Sequence, residues 1–168
     1  MGFKKTSDLI AISFGVDEIN ANQFIQDEIA LQLDVLNNEV AVVLAVDLDV
    51  TPPDAVAGVD TTTTASLSAT SLLAVGNLSQ SNVVVQAADR IMAGGFVDSG
   101  VGFSRKADST YTGDLDYLAI IATNNFFIQL QGGNNVATKG LTGRLWFYRA
   151  KADSSTYAAL VQSEVLSA

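Results

Sequence analysis

The sequence predicts an all-β protein, an antiparallel β-sandwich or barrel, on three observations. Apolar side chains occupy every second position of one segment, as on a strand with one buried face; they are Val40, Val42, Leu44, Val46, Leu48 and Val50. Turn-forming pairs such as Asn-Asn, Gly-Gly and Pro-Pro recur at short intervals along the chain. At most one segment, at the C-terminus, has the signals of a helix.

The segment before Val40 is predicted to pair with it as a hairpin. Asn37-Asn38 can adopt the positive φ values of a two-residue loop. Closing the loop there sets Val35 opposite Val40 and Leu33 opposite Val42, so that face of the hairpin is apolar. The alternative is a helix whose apolar stripe would be Ile25, Ile29, Leu33 and Leu36. The hairpin is favoured because a helix offers no such agreement with the segment that follows.

The same reasoning predicts a second hairpin, centred on Asn124-Asn125. It sets Ile121 opposite Ile128 and Ala119 opposite Leu130, which makes one face apolar. The other face is mixed, so we expect another part of the chain to cover it.

Further strands are predicted in the stretches TTTTASLSATSLLAV, SNVVVQAADRI, DSGVGFSR and GLTGRLWFYRA, which gives seven to nine strands in all. Asp153 and Ser154 are N-cap candidates, so residues 154–168 are predicted to be a C-terminal helix or tail, with a last strand as the alternative. Residues 1–23 are an N-terminal arm or the first strand. Pro52-Pro53 ends a strand, and residues 1–168 are predicted to form one β-sandwich domain.

The composition excludes several classes of function. Apolar residues make up 48% and charged residues 16%, which indicates a packed core and not disorder. The chain has no Cys and no His, so disulfides, thiolate sites and the commonest general base and zinc ligand are absent. The net charge of -9 would repel phosphate backbones, and no direct contact with nucleic acid is expected. No apolar stretch reaches the roughly 18 residues of a membrane span, and the start is interpreted as mature sequence.

Paired carboxylates are the candidate metal ligands. Asp47 and Asp49 share one face of the predicted strand, and Asp114 and Asp116 repeat that spacing. Such pairs could bind Ca²⁺ or act as acid and base, whereas the alternative is Asp that is solvated or forms turns. The predicted hairpin also sets Glu28 opposite Asp47, where like charges repel. That juxtaposition indicates either a cation site or a register that frays there. No catalytic residue and no other cofactor is predicted.

The late strand carries candidate interface residues. If Leu145 and Phe147 fill the core, then Arg144, Trp146 and Tyr148 lie together on the outer face. Large aromatic side chains and Arg are the types that anchor protein interfaces. The alternative is that the terminal helix or a loop covers this face. A further aromatic residue, Phe127, poses the same question on the second predicted hairpin.

A resemblance to a known family is carried by three stretches, EVAVVLAVDLDVTPPDAVAG, DYLAIIATNNFFIQLQGGNN and GRLWFYRAKADSSTYAALVQSE. Together they resemble the single jelly-roll major capsid proteins of tailless icosahedral double-stranded DNA viruses, especially archaeal and environmental ones with an internal membrane. The resemblance implies a jelly roll that self-assembles in the virion with a second, sister capsid protein, and it transfers no catalytic residue. The acidic balance, with Lys4 and Lys5 as the only sign of a basic arm, agrees with a shell separated from the genome by a membrane.

More than one interpretation remains open for the strand connections and for the function. Consecutive strands of a jelly roll mostly alternate between sheets, whereas the two predicted hairpins stay within one. Either the Asn-Asn corners cross between sheets, or extra strands decorate the barrel, or the sandwich is immunoglobulin-like. A viral capsid subunit is the leading functional hypothesis. The alternative is a cell-surface or secreted module that binds carbohydrate or protein, with Trp146 and Tyr148 as a stacking platform, and an Asp-dependent hydrolase ranks last.

Overall fold

The computed structural model describes residues 3–95, 97, 100–105 and 116–167, which form ten strands, a short 3-10 helix (Val35–Asn37) and one α-helix. The strands are β1 (Phe3–Lys5), β2 (Ile10–Asp17), β3 (Ile25–Ala30), β4 (Glu39–Val50), β5 (Thr61–Ser68), β6 (Val83–Met92), β7 (Val101–Arg105), β8 (Ala119–Ile121), β9 (Asn125–Gly133) and β10 (Gly140–Ala152), and the helix is α1 (Ser154–Ser167). The predicted all-β class with a C-terminal helix is confirmed, although these residues contain more strands than the seven to nine expected.

The strands lie in two antiparallel sheets. In sheet A, β10 pairs with β4 on one side and with both β1 and β2 on the other, and β8 pairs with the far side of β4. Sheet B has the order β3-β9-β5-β6-β7. From β2 onward the chain changes sheet at every connection except β5-β6-β7. The arrangement of β2-β10-β4-β8 over β3-β9-β5-β6 is a jelly roll, whereas an immunoglobulin sandwich pairs its first two strands in one sheet.

Both predicted hairpins are wrong, because the two Asn-Asn corners cross between the sheets. The first corner joins β3 in sheet B to β4 in sheet A through the 3-10 helix, and Asn38 has the expected left-handed φ of 57°. The second joins β8 in sheet A to β9 in sheet B. Two strands that face each other across a core present apolar sides just as paired strands do. Matching apolar faces therefore could not distinguish the two geometries.

The apolar stripe of β4 does not lie on one face, because a β-bulge divides it. Trp146 of β10 pairs with Ala45 and Phe147 pairs with Val43, so Leu44 is left without a partner in that register. One extra residue reverses the alternation of side chains. Val46, Leu48 and Val50 therefore lie in the core between the sheets, whereas Val40 and Val42 face the opposite side of sheet A.

The core between the sheets contains one close approach of a side chain to the backbone. Phe14 of β2 packs edge to face on Phe126 of β9, with ring centroids 5.6 Å apart. Its ring also lies over Gly143 of β10, where an added Cβ would be 2.7 Å from two ring carbons and 2.5 Å from the carbonyl oxygen of Asp47. Position 143 therefore needs a residue without a side chain.

Helix α1 begins where the sequence predicts it. The Asp153 carboxylate accepts a hydrogen bond of 2.7 Å from the backbone N–H of Thr156, which is the interaction of an N-cap. This bond is the main reason that the pKa of Asp153 lies below its ordinary value, with further hydrogen bonds from the hydroxyls of Thr156 and Ser155.

Candidate functional site

The outer face of sheet A carries most of the side chains that the sequence marks as candidates. Leu145 and Phe147 of β10 are fully buried between the sheets. The residues that alternate with them point to the outer face, where Arg144 is exposed while Trp146 and Tyr148 are half-buried. The three side chains thus share one face, but helix α1 covers only part of that face.

The covered half lies under helix α1. Val40 and Val42 of β4 form a small apolar cluster with Ala122, Ala150 and Ala152. Tyr148 packs against this cluster, and so do three residues of helix α1, Tyr157, Leu160 and Val161. The Lys5 ammonium lies 5.3 Å from the centre of the Tyr148 ring. Tyr148 therefore takes part in the packing of the helix, as the alternative has it. Its role as an interface residue stays a prediction.

A buried carboxylate fixes the far end of the helix to the sandwich. Glu164 is 9% exposed. Its two carboxylate oxygens accept hydrogen bonds from the backbone N–H groups of Ala122, at 2.6 Å, and Thr123, at 3.2 Å. These donors belong to the corner between β8 and β9, so Glu164 ties the helix to the point where the chain changes sheets.

The remaining part of the outer face we call the open half-face, and its outward-facing residues are Ala11, Ser13, Ala45, Asp47, Arg144 and Trp146. Trp146 lies between two small neighbours, Ala11 and Ala45, in the adjacent strands. The Arg144 guanidinium is 6.0 Å from the Trp146 ring, and its Nε donates a hydrogen bond of 3.1 Å to Ser13 Oγ. Trp146 is therefore half-buried, with the Arg144 guanidinium near its ring and small side chains on both neighbouring strands.

The predicted metal ligands point outward at the edge of this surface. Asp47 and Asp49 are exposed on β4, opposite Arg144 and Thr142 of β10. Asp49 also lines an open cleft of about 450 Å³ together with Asp17 and Asp89. Among the residues that the structure describes, no group of three or more His, Cys, Asp or Glu side chains is placed to hold a metal ion. Ca²⁺ binding at Asp47 and Asp49 therefore stays a prediction from the sequence.

Two other expectations about carboxylates change with the fold. Glu28 does not lie opposite Asp47, because it belongs to sheet B, where it pairs with Phe127 and its carboxylate accepts a hydrogen bond from the Asn125 side chain. The expected repulsion is thus a consequence of the wrong hairpin. Asp116 is exposed in a bend, and Asp114 lies outside the described residues.

Phe127 lies on the outer face of sheet B and is half-buried. The loop between β5 and β6, residues 69–82, bonds to other residues of this face. Phe127 as an interface residue stays a prediction. On the same face, a fully buried Gln129 of β9 joins β9 to its two neighbouring strands, β3 and β5. Its amide nitrogen donates to Gln26 and Ser68, both at 2.8 Å, and its amide oxygen accepts from Ser66 at 2.6 Å.

The loop between β5 and β6 bonds to the same row of polar side chains. The N–H of Leu72 donates to Gln26 Oε1 at 2.8 Å, and the N–H of Gly76 donates to Ser66 Oγ at 2.9 Å. These partners satisfy the hydrogen-bonding groups of the buried amides and hydroxyls, and the bonds fix the position of the loop on the sheet.

A second polar network, which no pattern in the sequence indicates, lies at the opposite end of the sandwich. Glu18 is 5% exposed and accepts hydrogen bonds from the N–H groups of Gly132 and Lys139, at 3.0 and 2.8 Å. The Lys139 ammonium forms an ion pair of 2.7 Å with Asp54. The hydrogen bond from Lys139 is the largest influence that lowers the pKa of Asp54, followed by the N–H of Ala137. These residues lie far apart in the chain, so no local spacing could have united them.

Comparisons with known proteins give no family assignment. No protein-family model and no curated protein matches the chain. Among solved structures, a chain of Desmodium yellow mottle tymovirus is 11% identical, with a TM-score of 0.30, over 84% of this chain and 87% of its own length. A chain of empty-head turnip yellow mosaic virus is 10% identical, with a TM-score of 0.31, over 86% and 82%. Likeness at this level carries no conclusion about function.

Proposed function

We propose that the chain is a structural subunit of a viral capsid, which associates with copies of itself and with a second capsid protein in an icosahedral shell. The single observation that supports this most is the strand order, because β2-β10-β4-β8 over β3-β9-β5-β6 is the jelly roll that the sequence resemblance implies. Jelly rolls occur in viral capsids, lectins and cupins. A fold alone does not define a function, so the surface must carry the rest of the proposal.

The open half-face supports a role in contacts between subunits. Its Trp146 and Arg144 belong to the residue types that dominate interface energetics, and the small neighbours of Trp146 allow a flat partner to approach. Exposed aliphatic side chains occur elsewhere on the described surface as well, among them Leu36 at 92% and Leu73 at 98% exposure. A subunit that is surrounded by copies of itself has use for several such surfaces.

The charge of the chain supports a place away from nucleic acid. With a net charge of -9, direct contact with a packaged genome would be repulsive. We infer that a membrane or another protein layer separates this subunit from the genome in a tailless virion. No helix among the described residues is long and apolar enough to cross a bilayer.

Assembly of the purified full-length chain tests the proposal. We expect sedimentation velocity and negative-stain electron microscopy to show large oligomers or closed particles at high protein concentration. The variant Trp146→Ala should weaken association at least about tenfold, as the loss of an interface anchor does. The control Leu73→Ala truncates an exposed side chain in the loop between β5 and β6, on the far side of the sandwich, and should weaken association less. A chain that stays monomeric at every concentration and ionic strength would contradict the proposal.

A carbohydrate-binding module is the second candidate, and the half-buried Trp146 on the open half-face is the observation that favours it. An indole on a flat, open face can stack on a sugar ring, and jelly rolls include lectins. A glycan array separates the two candidates. Specific binding that Trp146→Ala abolishes would favour the module over the capsid subunit, and no binding to any glycan would remove it.

A further inference from the structure

The two edges of sheet B carry opposite charges. At one edge, β3 exposes Asp27 and Glu28. At the other edge, all five residues of β7 are exposed, including Arg105, and the neighbouring strand β6 exposes Arg90. The acidic residue there, Asp89, is half-buried, lies on the opposite face of the sheet and accepts a hydrogen bond from Ser104. Each edge strand pairs with a neighbour on one side only within the described residues. An unpaired edge of this kind is a template for another strand.

The β7 edge also exposes apolar side chains. Phe103 is 59% exposed and pairs across the strands with Arg90, and Val101, 49% exposed, pairs with Met92, 41% exposed. Within the described residues, Arg90 and Arg105 form no ion pair and no contact with an aromatic ring. The patch thus combines Phe, Met and unpaired Arg, the types enriched at interfaces, on a chain whose net charge is -9.

The charges select which edges can meet. Two β3 edges would set acidic side chains against each other, and two β7 edges would do the same with Arg90 and Arg105; like charges placed opposite each other are unfavourable. Among these combinations, only a β7 edge against a β3 edge brings opposite charges together, because Glu28 then shares the outer face of the joined sheets with Arg90 and Arg105. Four successive antiparallel pairings make β3 and β7 point the same way at opposite edges. Copies placed side by side therefore bring β7 of one copy next to a parallel β3 of the next.

We propose that sheet B mediates head-to-tail association, in which the β7 edge of one copy docks on the β3 edge of a second copy of this chain. The proposal rests on the proposed function and specifies one of its contacts. A heterologous contact of this kind repeats from copy to copy and generates rings or extended arrays. The strands match in length, since β7 has five residues and β3 has six.

Charge exchange between the two edges tests the contact. The variant Arg90→Glu/Arg105→Glu makes both edges acidic, and the variant Asp27→Lys/Glu28→Lys makes both basic. Each alone should weaken self-association at least about tenfold, because like charges across an interface are strongly unfavourable. An equimolar mixture of the two should associate nearly as well as the wild type, since every contact again joins opposite charges. The chain with all four substitutions should behave like the mixture.

The control Lys4→Glu/Lys151→Glu changes two exposed cations elsewhere on the surface, and it should associate as the wild type does. Sedimentation velocity at one fixed ionic strength measures all variants, and circular dichroism confirms that each is folded. The single substitutions Arg105→Glu and Glu28→Lys repeat this comparison of self-association with one reversed charge in each variant. If the wild type assembles and the edge variants assemble equally well, or if the mixture does not recover, the edge contact is refuted while the proposed function stands. A wild type that never associates refutes both.

Discussion

Replacing Gly143 by Ala tests the packing that holds β2, β10 and β4 together. A Cβ at this position would lie 2.5 Å from the backbone oxygen of Asp47 and 2.7 Å from two carbons of the Phe14 ring. Contacts shorter than 3.0 Å do not occur for real Cβ atoms, so strand β4 or the ring must move by several tenths of an ångström. The backbone oxygen cannot yield without disturbing the ladder between β4 and β10. Overpacking of this kind destabilises by about 1–3 kcal/mol.

Gly102 provides a matched control for this substitution. It is also a strand glycine, and among the described residues its added Cβ would meet nothing closer than the Arg90 oxygen, at 3.9 Å. Neither glycine has a left-handed φ, so replacement by Ala removes a similar amount of backbone freedom from the unfolded chain at both sites. The difference between Gly143→Ala and Gly102→Ala therefore isolates the steric effect.

Thermal unfolding followed by circular dichroism measures that difference. For a chain of this length, 1 kcal/mol corresponds to about 2–4 °C in Tm, so Gly143→Ala should melt about 2–12 °C below Gly102→Ala. Equal melting temperatures would mean that Phe14 does not lie over Gly143. They would refute the reasoning that places β2 beside β10 in sheet A.

Three other substitutions test the polar contacts. Asp54→Asn removes a carboxylate whose pKa is lowered mainly by the Lys139 hydrogen bond. The contribution of this carboxylate to stability is present above the unfolded pKa of about 3.9 and is lost as the pH falls through the lower folded pKa. The difference in Tm between the variant and the wild type should therefore narrow below about pH 4, and a difference that is constant from pH 7 to 2 would contradict this. Gln129→Leu leaves Ser66 without its buried acceptor, which should cost about 1–3 kcal/mol and speed amide exchange in the loop 69–82; unchanged exchange would contradict the seating of that loop. Glu164→Ala removes the acceptor of two backbone N–H groups, so helix α1 should become sensitive to proteolysis before the strands do, and equal sensitivity would argue against that attachment.

The sequence predicted the class of the fold but not the partners of its strands. Alternating side chains and turn residues identify strands and their ends, and this was enough for β4, β9 and β10. Pairing is a different matter, because the two Asn-Asn corners satisfy the same pattern whether the chain turns within a sheet or crosses to the other one. The resemblance to jelly-roll capsid proteins made the crossing one of three open interpretations, since jelly-roll strands mostly alternate between sheets, and the structure has that arrangement.

The sequence predicted which residues share the outer face of sheet A, but not which of them helix α1 covers. The alternation through Leu145 and Phe147 placed Arg144, Trp146 and Tyr148 on one face, as observed. Helix α1 packs over Tyr148 and stops short of the open half-face, and the sequence of β10 contains no sign of that boundary. The network around Glu18 was equally hidden, because hydrogen bonds between loops depend on the fold and not on local spacing.

Leu44 decides where the boundary falls. Because the bulge reverses the alternation of β4, its outward side chains are Val40 and Val42 before the bulge, but Ala45 and Asp47 after it. The first pair is apolar and needs the cover that helix α1 supplies, whereas the second pair can stay in water. One unpaired residue thus divides the outer face into a half that packs and a half that can meet a partner.

Deletion of Leu44 should therefore be tolerated, although it lies in the middle of a long central strand. Val43 and Ala45 would become neighbours and keep their partners, Phe147 and Trp146, in a regular ladder. The loss of a half-buried leucine should cost roughly 1–2 kcal/mol, seen as a modest fall in Tm. Deletion of Leu48, which is fully buried, removes a core side chain and turns Asp49 inward and Val50 outward at the end of β4, so it should lower the Tm clearly more. If the two deletions are equally damaging, Leu44 is not the extra residue of a bulge and the division of the outer face has another cause.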